Sequence, residues 1–218
     1  MQYALTGNER DKTIALFFWT TMVDHHTYVI GGNSNYEYCG PADTLNDRLS
    51  DNTAETCNTY NMLKLTRHLF SWQPDSKLGD FYERALYNHI LSSQNPETGM
   101  MCYFVPLRMG TKKEFSDKFN TFTCCVGTGM ENDSKYVENI YNEGTDGSLY
   151  VNLFIPSQLH WKAKGVSISQ TTSFPESDKA TLTIQTKTAK KFPVRVRHPW
   201  WATQGVQVKI NGVKVNAV

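Results

Sequence analysis

Apolar residues recur at helical spacing through the first part of the chain. Residues 8–24 form a predicted helix with an apolar stripe made of Ile14, Phe17, Phe18 and Met22. A second helix is predicted from near Thr53, whose hydroxyl could cap it, to Phe70, with an apolar face of Met62, Leu63, Leu69 and Phe70. A third opens at Asp75 and carries Leu78, Phe81, Tyr82, Ala85, Leu86 and Ile90. The last predicted helix covers residues 131–141.

The period of the pattern changes after Asn142-Glu143-Gly144. Apolar and polar residues then alternate, which predicts strands over residues 148–155, 166–174, 180–187, 192–197 and 206–215. Asn211-Gly212 separates two short alternating runs and favours a two-residue hairpin. The predicted fold class is therefore α+β, with a helical domain over residues 1–142 and a β domain over residues 143–218.

Composition and charge narrow the classes of partner. Apolar residues make up 39% of the chain and charged residues 20%, which indicates a packed core. Lys and Arg number 22 against 21 Asp and Glu, so we expect neither a nucleic-acid-binding surface nor a basic membrane-binding patch. No run approaches the roughly 20 apolar residues of a membrane span.

Cysteine usage gives the strongest chemical signal. The odd number of cysteines and the adjacent pair Cys124-Cys125 argue against a disulfide framework and favour metal binding or catalysis. No role is assigned to Cys39, Cys102, His25 or His26.

Four of these side chains make a candidate zinc site. Glu55 and Cys57 lie two residues apart at a predicted helix start, whereas Cys124 and Cys125 belong to a predicted loop. Three thiolates and one carboxylate match the ligand number and type of tetrahedral zinc. The alternative is a set of buried free cysteines, since free cysteine is among the most buried residue types.

A metal-bound thiol is deprotonated at neutral pH and can act as a nucleophile. A retaining glycosidase also needs a proton donor on the other side of the scissile bond. Glu37, Asp43 and Asp47 are the acidic candidates near the glycine-rich loop, and Glu37 follows Gly31-Gly32 most closely. The alternative for Glu37 is a solvated loop carboxylate.

Four motifs in this order resemble the β-L-arabinofuranosidases of glycoside hydrolase family 127 and relatives such as family 146. They are Gly31-Gly32-Asn33-Ser34 with Glu37, the run from Glu55 to Lys64, the run from Tyr82 to Asn88, and Cys124-Cys125. The resemblance covers nearly the whole chain. It implies the C-terminal part of an (α/α)6 barrel followed by the start of a β-sandwich, so the chain is expected to be a fragment.

The resemblance also implies roles for individual residues. Zn2+ is expected at Glu55, Cys57, Cys124 and Cys125, with Cys124 as the nucleophile. Glu37 is the implied acid/base. Glu83 and Tyr103 are implied to contact the sugar, although helix-surface or loop packing would equally explain both residues. The residues after the cysteine pair, Val126-Gly127-Thr128-Gly129, depart from the prolines of many members and leave substrate preference open.

Three functions are compatible with these residues. The first is a zinc-dependent retaining β-L-arabinofuranosidase that acts on arabinose-containing oligo- or polysaccharides of plants. The second is a non-catalytic fragment with a structural zinc site and a carbohydrate-binding role. The third, a thiol acyl hydrolase, lacks an evident histidine motif beside Cys124. Oligomeric state stays open, and periplasmic or secreted location is expected only if the full-length protein carries a signal peptide.

Overall fold

Helices come first and small sheets follow in the computed structural model, which describes residues 1–216. The order is as predicted from the change in periodicity. The α-helices are α1 (Gln2–Thr6), α2 (Glu9–His25), α3 (Thr56–Trp72), α4 (Ser76–Ala85) and α5 (Cys124–Glu138). Short 3-10 helices lie at Leu45–Arg48, Leu91–Ser93 and Lys162–Lys164, and a π-helical turn lies at Leu86–Ile90.

The helix starts show which sequence signals were reliable. Asp75 caps α4 as predicted, because its carboxylate accepts a hydrogen bond from the Lys77 amide at 2.8 Å. The predicted cap of α3 by Thr53 is wrong. Glu55 occupies the N-cap position without a side-chain cap bond, and the Thr53 hydroxyl donates to the Ser50 carbonyl at 2.6 Å instead.

The last helix begins earlier than predicted. It starts at Cys124, so the prediction of a loop for the cysteine pair is wrong. The first turns contain Gly127 and Gly129 and no periodic apolar run, which hid the helix in the sequence. Packing compensates, since Cys125 and Gly129 are buried and a Cβ on Gly129 would lie 2.4 Å from Met101 Cγ.

The strands are short and form three small sheets. They are β1 (Tyr141–Glu143), β2 (Leu149–Val151), β3 (Ser157–Trp161), β4 (Val166–Thr172), β5 (Ala180–Thr186), β6 (Val194–Val196), β7 (Val208–Ile210) and β8 (Val213–Val215). β2 pairs with β1 antiparallel and with β6 in parallel, and β3, β4 and β5 form an antiparallel sheet. The predicted Asn211-Gly212 hairpin joins β7 to β8. The sequence pattern missed β1 and β3.

One core holds the helices together and extends to the first strands. The predicted buried faces of α3 and α4 all lie in it, and Ile140 and Leu153 join from the segments around β1 and β2. The predicted stripe of α2 is wrong in part. Met22 is buried beside Trp19, but Ile14, Phe17 and Phe18 are 53%, 72% and 49% exposed.

A second core lies within the β segment. It contains Leu149, Val151, Trp161, Val166 and Ile168. Within the described part of the chain, none of the helices combines the length and the apolar character needed to cross a membrane.

Candidate metal and glycosidase site

Two helix N-termini meet at the candidate site. Glu55 is the N-cap of α3 and Cys57 lies in its first turn, while Cys124 and Cys125 are the first two residues of α5. One ligand atom from each of the four residues lies within 4.8 Å of all the others. The structure thus brings together the four predicted zinc ligands, two from each helix.

Two of the distances between these atoms match those in a tetrahedral zinc site. Cys124 Sγ lies 3.7 Å from Glu55 Oε1 and 3.9 Å from Cys125 Sγ. Zn–S bonds of about 2.3 Å in a tetrahedron put neighbouring sulfurs about 3.8 Å apart. Because Glu55 does not cap α3, its carboxylate is free to face the sulfurs.

The cluster separates its thiols by acidity. Hydrogen bonding from Cys125 is the main reason that the pKa of the Cys57 thiol falls to about 6. Burial raises the pKa of Cys124 to about 11, and the hydrogen bond to Cys57 together with burial raises the pKa of Cys125 well above the ordinary thiol value. The lowered pKa of Cys57 and the positive ends of two helix dipoles both favour a thiolate in this cluster.

Glu55 shares this environment with Glu37. Burial is the main cause that raises the pKa of the Glu55 carboxyl, and negative charge on Cys57 and Glu37 adds to it. Glu37 also opposes ionisation of Cys57. The predicted acid/base is therefore close enough to interact electrostatically with the cluster.

Glu37 sits on an unusual tight turn. Asn35 and Tyr38 exchange backbone hydrogen bonds at 2.9 and 3.1 Å, and Tyr36 and Glu37 between them have φ of 50° and 69°. Two successive left-handed residues characterise a type I′ turn, which normally uses asparagine and glycine. A tyrosine and a glutamate at these positions are strained, and such strain clusters at functional sites.

Tyr103 connects Glu37 to the cluster. Its hydroxyl donates a hydrogen bond to Glu37 Oε1. Its backbone carbonyl accepts from the Thr56 amide at 3.0 Å and from the Cys125 thiol at 3.7 Å. The predicted sugar-binding tyrosine is thus placed beside both the predicted acid and the predicted metal ligands.

Glu83 lies in a different environment. It is 5% exposed, its Oε2 accepts from the Arg197 guanidinium, and its Oε1 accepts from Trp201 Nε1 at 2.8 Å. Arg197 also pairs with Asp80 at 2.6 Å. Contact of Glu83 with a sugar remains a prediction.

The other candidate groups lie apart from the cluster. Asp43 is exposed and pairs with His25 at 3.0 Å, and Asp47 lies in the 3-10 helix Leu45–Arg48. Cys102 is fully buried, and burial raises the pKa of its thiol to about 11. Of the three acidic candidates in the glycine-rich loop region, Glu37 is the one that bonds to Tyr103, which also bonds to Cys125 of the cluster.

Sequence reasoning missed His89 and Arg197. Both are buried, and their partners lie far away along the chain, at Ala54 and Thr59 for His89 and at Asp80 and Glu83 for Arg197. His89 directly follows the Tyr82–Asn88 motif, and this position was the sequence signal that could have identified it. Arg197 lies among alternating residues that read as an ordinary strand.

The sequence profile described as "Beta-L-arabinofuranosidase, GH127 catalytic domain" matches residues 1–138. The chain belongs to glycoside hydrolase family 127. The profile of the "Beta-L-arabinofuranosidase, GH127 middle domain" matches residues 148–218. No curated protein matches the sequence.

Solved structures of family 127 share the fold. Ara127N-Se, a GH127 beta-L-arabinofuranosidase from Geobacillus stearothermophilus T6, is 25% identical with a TM-score of 0.82, over 98% of this chain and 35% of that one. The GH127 beta-arabinofuranosidase BT3674 is 23% identical with a TM-score of 0.84, over 99% of this chain and 37% of that one. The chain therefore spans little more than a third of these family members.

Proposed function

We propose that this chain is part of a zinc-dependent retaining β-L-arabinofuranosidase that acts on arabinose-containing glycans. The observation that carries the proposal is the cluster of Glu55, Cys57, Cys124 and Cys125 beside Glu37. A purely structural zinc site needs no carboxylic acid facing it. Membership of family 127 supports the reaction class.

The finer architecture is part of the same proposal. Residues 1–142 would form the C-terminal part of an (α/α)6 barrel, and residues 143–218 the start of a β-sandwich. The separate matches of the catalytic-domain profile to residues 1–138 and of the middle-domain profile to residues 148–218 support this division. The outward face of α2 with Ile14, Phe17 and Phe18 would then pack inside the complete barrel.

The four-residue cluster would hold the zinc ion. When bound, zinc supplies positive charge that keeps its cysteine ligands deprotonated at neutral pH. Hydrogen bonding lowers the pKa of Cys57. Cys124 is the exposed cysteine of the cluster, whereas Cys57 and Cys125 are buried, so Cys124 is the sulfur that a substrate could reach.

The proposed reaction consists of two displacements at the anomeric carbon. Glu37 donates its proton to the leaving oxygen as the C–O bond breaks, and the Cys124 sulfur forms a C–S bond. Glu37 then takes a proton from water, whose oxygen attacks the same carbon while the C–S bond breaks and the sulfur leaves as thiolate. Two inversions give retained configuration. Tyr103 orients the Glu37 carboxylate through its hydroxyl.

The test combines metal content with hydrolysis. Zinc per chain is measured by elemental analysis for the wild type, Cys125→Ala and the control Cys39→Ala. Hydrolysis of 4-nitrophenyl β-L-arabinofuranoside is followed for the 218-residue chain and for a full-length protein that contains it. We expect about one zinc in wild type and control, loss in Cys125→Ala, and loss of turnover in Cys124→Ser.

The outcomes separate the assignments. A Cys124→Ser variant with near-normal turnover would exclude Cys124 as the nucleophile. Glu37→Gln turnover equal to that of the wild type would exclude Glu37 as the acid/base. Full zinc occupancy without turnover in the full-length protein would favour the non-catalytic, structural zinc site. A folded wild type without zinc would contradict the four-ligand assignment.

A further inference from the structure

The His89 imidazole joins three segments that carry the site. His89 lies in the π-helical turn Leu86–Ile90 and has no exposed surface. Its Nδ1 is 2.7 Å from the Thr59 hydroxyl oxygen of α3, and its Nε2 is 3.0 Å from the Ala54 carbonyl oxygen. π-helical turns occur frequently at functional sites because they displace a side chain from the regular helical register.

The two bonds fix the proton arrangement of the ring. The Ala54 carbonyl can only accept, so Nε2 carries the proton and donates it. Nδ1 then accepts from the Thr59 hydroxyl, which gives a neutral ring with both nitrogens satisfied. The environment agrees, because burial lowers the pKa of His89 to about 4.

The glycine-rich loop rests directly on this ring. A Cβ on Gly32 would lie 2.6 Å from His89 Nδ1, and a Cβ on Gly31 would lie 2.5 Å from the backbone Cα of Ala85. Gly31 also has a φ of 91°, which favours glycine. The absence of side chains therefore lets the loop that leads to Glu37 contact the end of α4 and the π-helical turn.

The same ring holds the residue before the first candidate ligand. Ala54 has a left-handed φ of 55° and precedes Glu55. Its carbonyl accepts from His89 and from the Val105 amide at 3.2 Å, and its amide donates to the Ser34 carbonyl at 3.0 Å. The direction in which the Glu55 side chain leaves the backbone depends on this peptide.

We propose that His89 is a positioning residue that fixes the Glu37 loop and the Glu55 carboxylate relative to each other. The inference rests on the proposed function, because it assigns His89 to the geometry of that same site. The ring nitrogens of His89 bond to Thr59 and Ala54 and not to a candidate ligand atom. His89 acts through Gly32, Ala54 and Thr59.

The test replaces His89 in two ways and adds a matched core variant. His89→Gln keeps a donor that can reach the Ala54 carbonyl, whereas His89→Leu keeps no polar group. Ile90→Ala disturbs the same buried turn, since Ile90 is 1% exposed, without removing a bond to Ala54. Each variant is titrated with Co2+, which reports on thiolate ligands through its absorption bands.

We expect Co2+ affinity to fall on the order of tenfold in His89→Leu, with a shifted absorption spectrum, as for other groups that orient metal ligands. His89→Gln should recover most of the affinity. Ile90→Ala should lower the unfolding midpoint and keep the wild-type spectrum. A His89→Leu variant with wild-type affinity and spectrum would overturn the positioning role.

A second readout needs no metal. The rates of backbone amide hydrogen exchange in residues 31–37 and 53–57 are compared between His89→Leu and Ile90→Ala. The comparison is made under conditions in which both variants have the same free energy of unfolding. Faster exchange in both segments of His89→Leu supports the positioning role, and equal exchange overturns it. If the wild type itself binds no Co2+, the proposed metal site fails, while this comparison still decides the role of His89.

Discussion

The thiols of Cys57, Cys124 and Cys125 differ in acidity although they lie side by side. The pKa of Cys57 is about 6, that of Cys124 is about 11, and that of Cys125 is raised further in the same direction. At pH 8 one thiol is ionised and two retain their protons. Binding of a divalent cation to all three must release the remaining protons.

This difference predicts that the number of protons released on zinc binding depends on pH. Zinc binding at pH 8 should release about two protons, and at pH 5 about one more, because Cys57 is then protonated before binding. Glu55, whose pKa is raised chiefly by burial, adds to the release at the acid end. Calorimetry in buffers of different ionisation enthalpy measures the count. An equal count at both pH values would contradict the assigned order of acidity.

Backbone strain at Tyr36 predicts a stabilising substitution. The left-handed conformation at this turn position favours asparagine, and the Tyr36 side chain is mostly exposed, so little packing is lost. Tyr36→Asn should raise the free energy of unfolding by about 0.5–1 kcal/mol. Urea denaturation measures it, with Tyr38→Asn, at the neighbouring bridge position, as the control. A decrease in Tyr36→Asn would show that the tyrosine ring contributes packing that outweighs the strain.

At the scale of elements, α5 begins with the cysteine pair, although its sequence has a low helix propensity. Gly127 lies in its first turns, and a Cβ there would have no neighbour within 4 Å. Gly127→Ala should therefore stabilise the protein by about 0.5–1 kcal/mol, because alanine loses less backbone entropy in a helix. The same measurement on Gly129→Ala serves as contrast, since its Cβ would meet Met101 and cost stability.

Zinc content of Gly127→Ala should equal that of the wild type. Loss of zinc together with a stabilised fold would show that the start of α5 must remain adaptable to bind the ion. A destabilised Gly127→Ala would contradict the assigned open space around this residue.

Elements with strong local signals were predictable, and those defined by distant contacts were not. α3 and α4 follow from apolar periodicity, and the Asp75 cap and the Asn211-Gly212 hairpin follow from local backbone chemistry. α5 begins at Cys124 because tertiary packing overrides two glycines. β1 and β3 are defined by pairing with β2 and β4, which a short sequence pattern does not encode.

The candidate site shows the same division. The proximity of Glu55, Cys57 and the cysteine pair was predictable because these residue types are chemically rare together. The turn that carries Glu37 and the ring of His89 depend on contacts between segments far apart in sequence. Local sequence patterns do not predict contacts between distant segments.

At the scale of the whole molecule, Arg197 ties the β segment to the helices. It follows β6, is buried, and pairs with Asp80 and Glu83 of α4, while its Nε donates to the Asn152 carbonyl at 2.7 Å. Arg197→Met would leave two largely buried carboxylates unpaired. We expect the free energy of unfolding to fall by about 3–5 kcal/mol.

The matched control is Arg195→Met. Arg195 pairs with Asp146 in an exposed ion pair, so its loss should change stability by no more than about 1 kcal/mol. Chemical denaturation of both variants makes the comparison. Equal decreases in the free energy of unfolding would mean that the buried ion pairs do not hold the β segment to the helical part.

The candidate ligands Glu55 and Cys124 lie 69 residues apart in sequence. An ion held between them would close a loop of that length, which in an unfolded chain costs on the order of 4 kcal/mol of conformational entropy. On the proposed assignment, the cluster is a reversible cross-link, comparable in its topological effect to a disulfide that a chelator can open. Because the closure is so non-local, all four ligands can meet only after the intervening chain has collapsed, so tight metal capture would be a late event in folding.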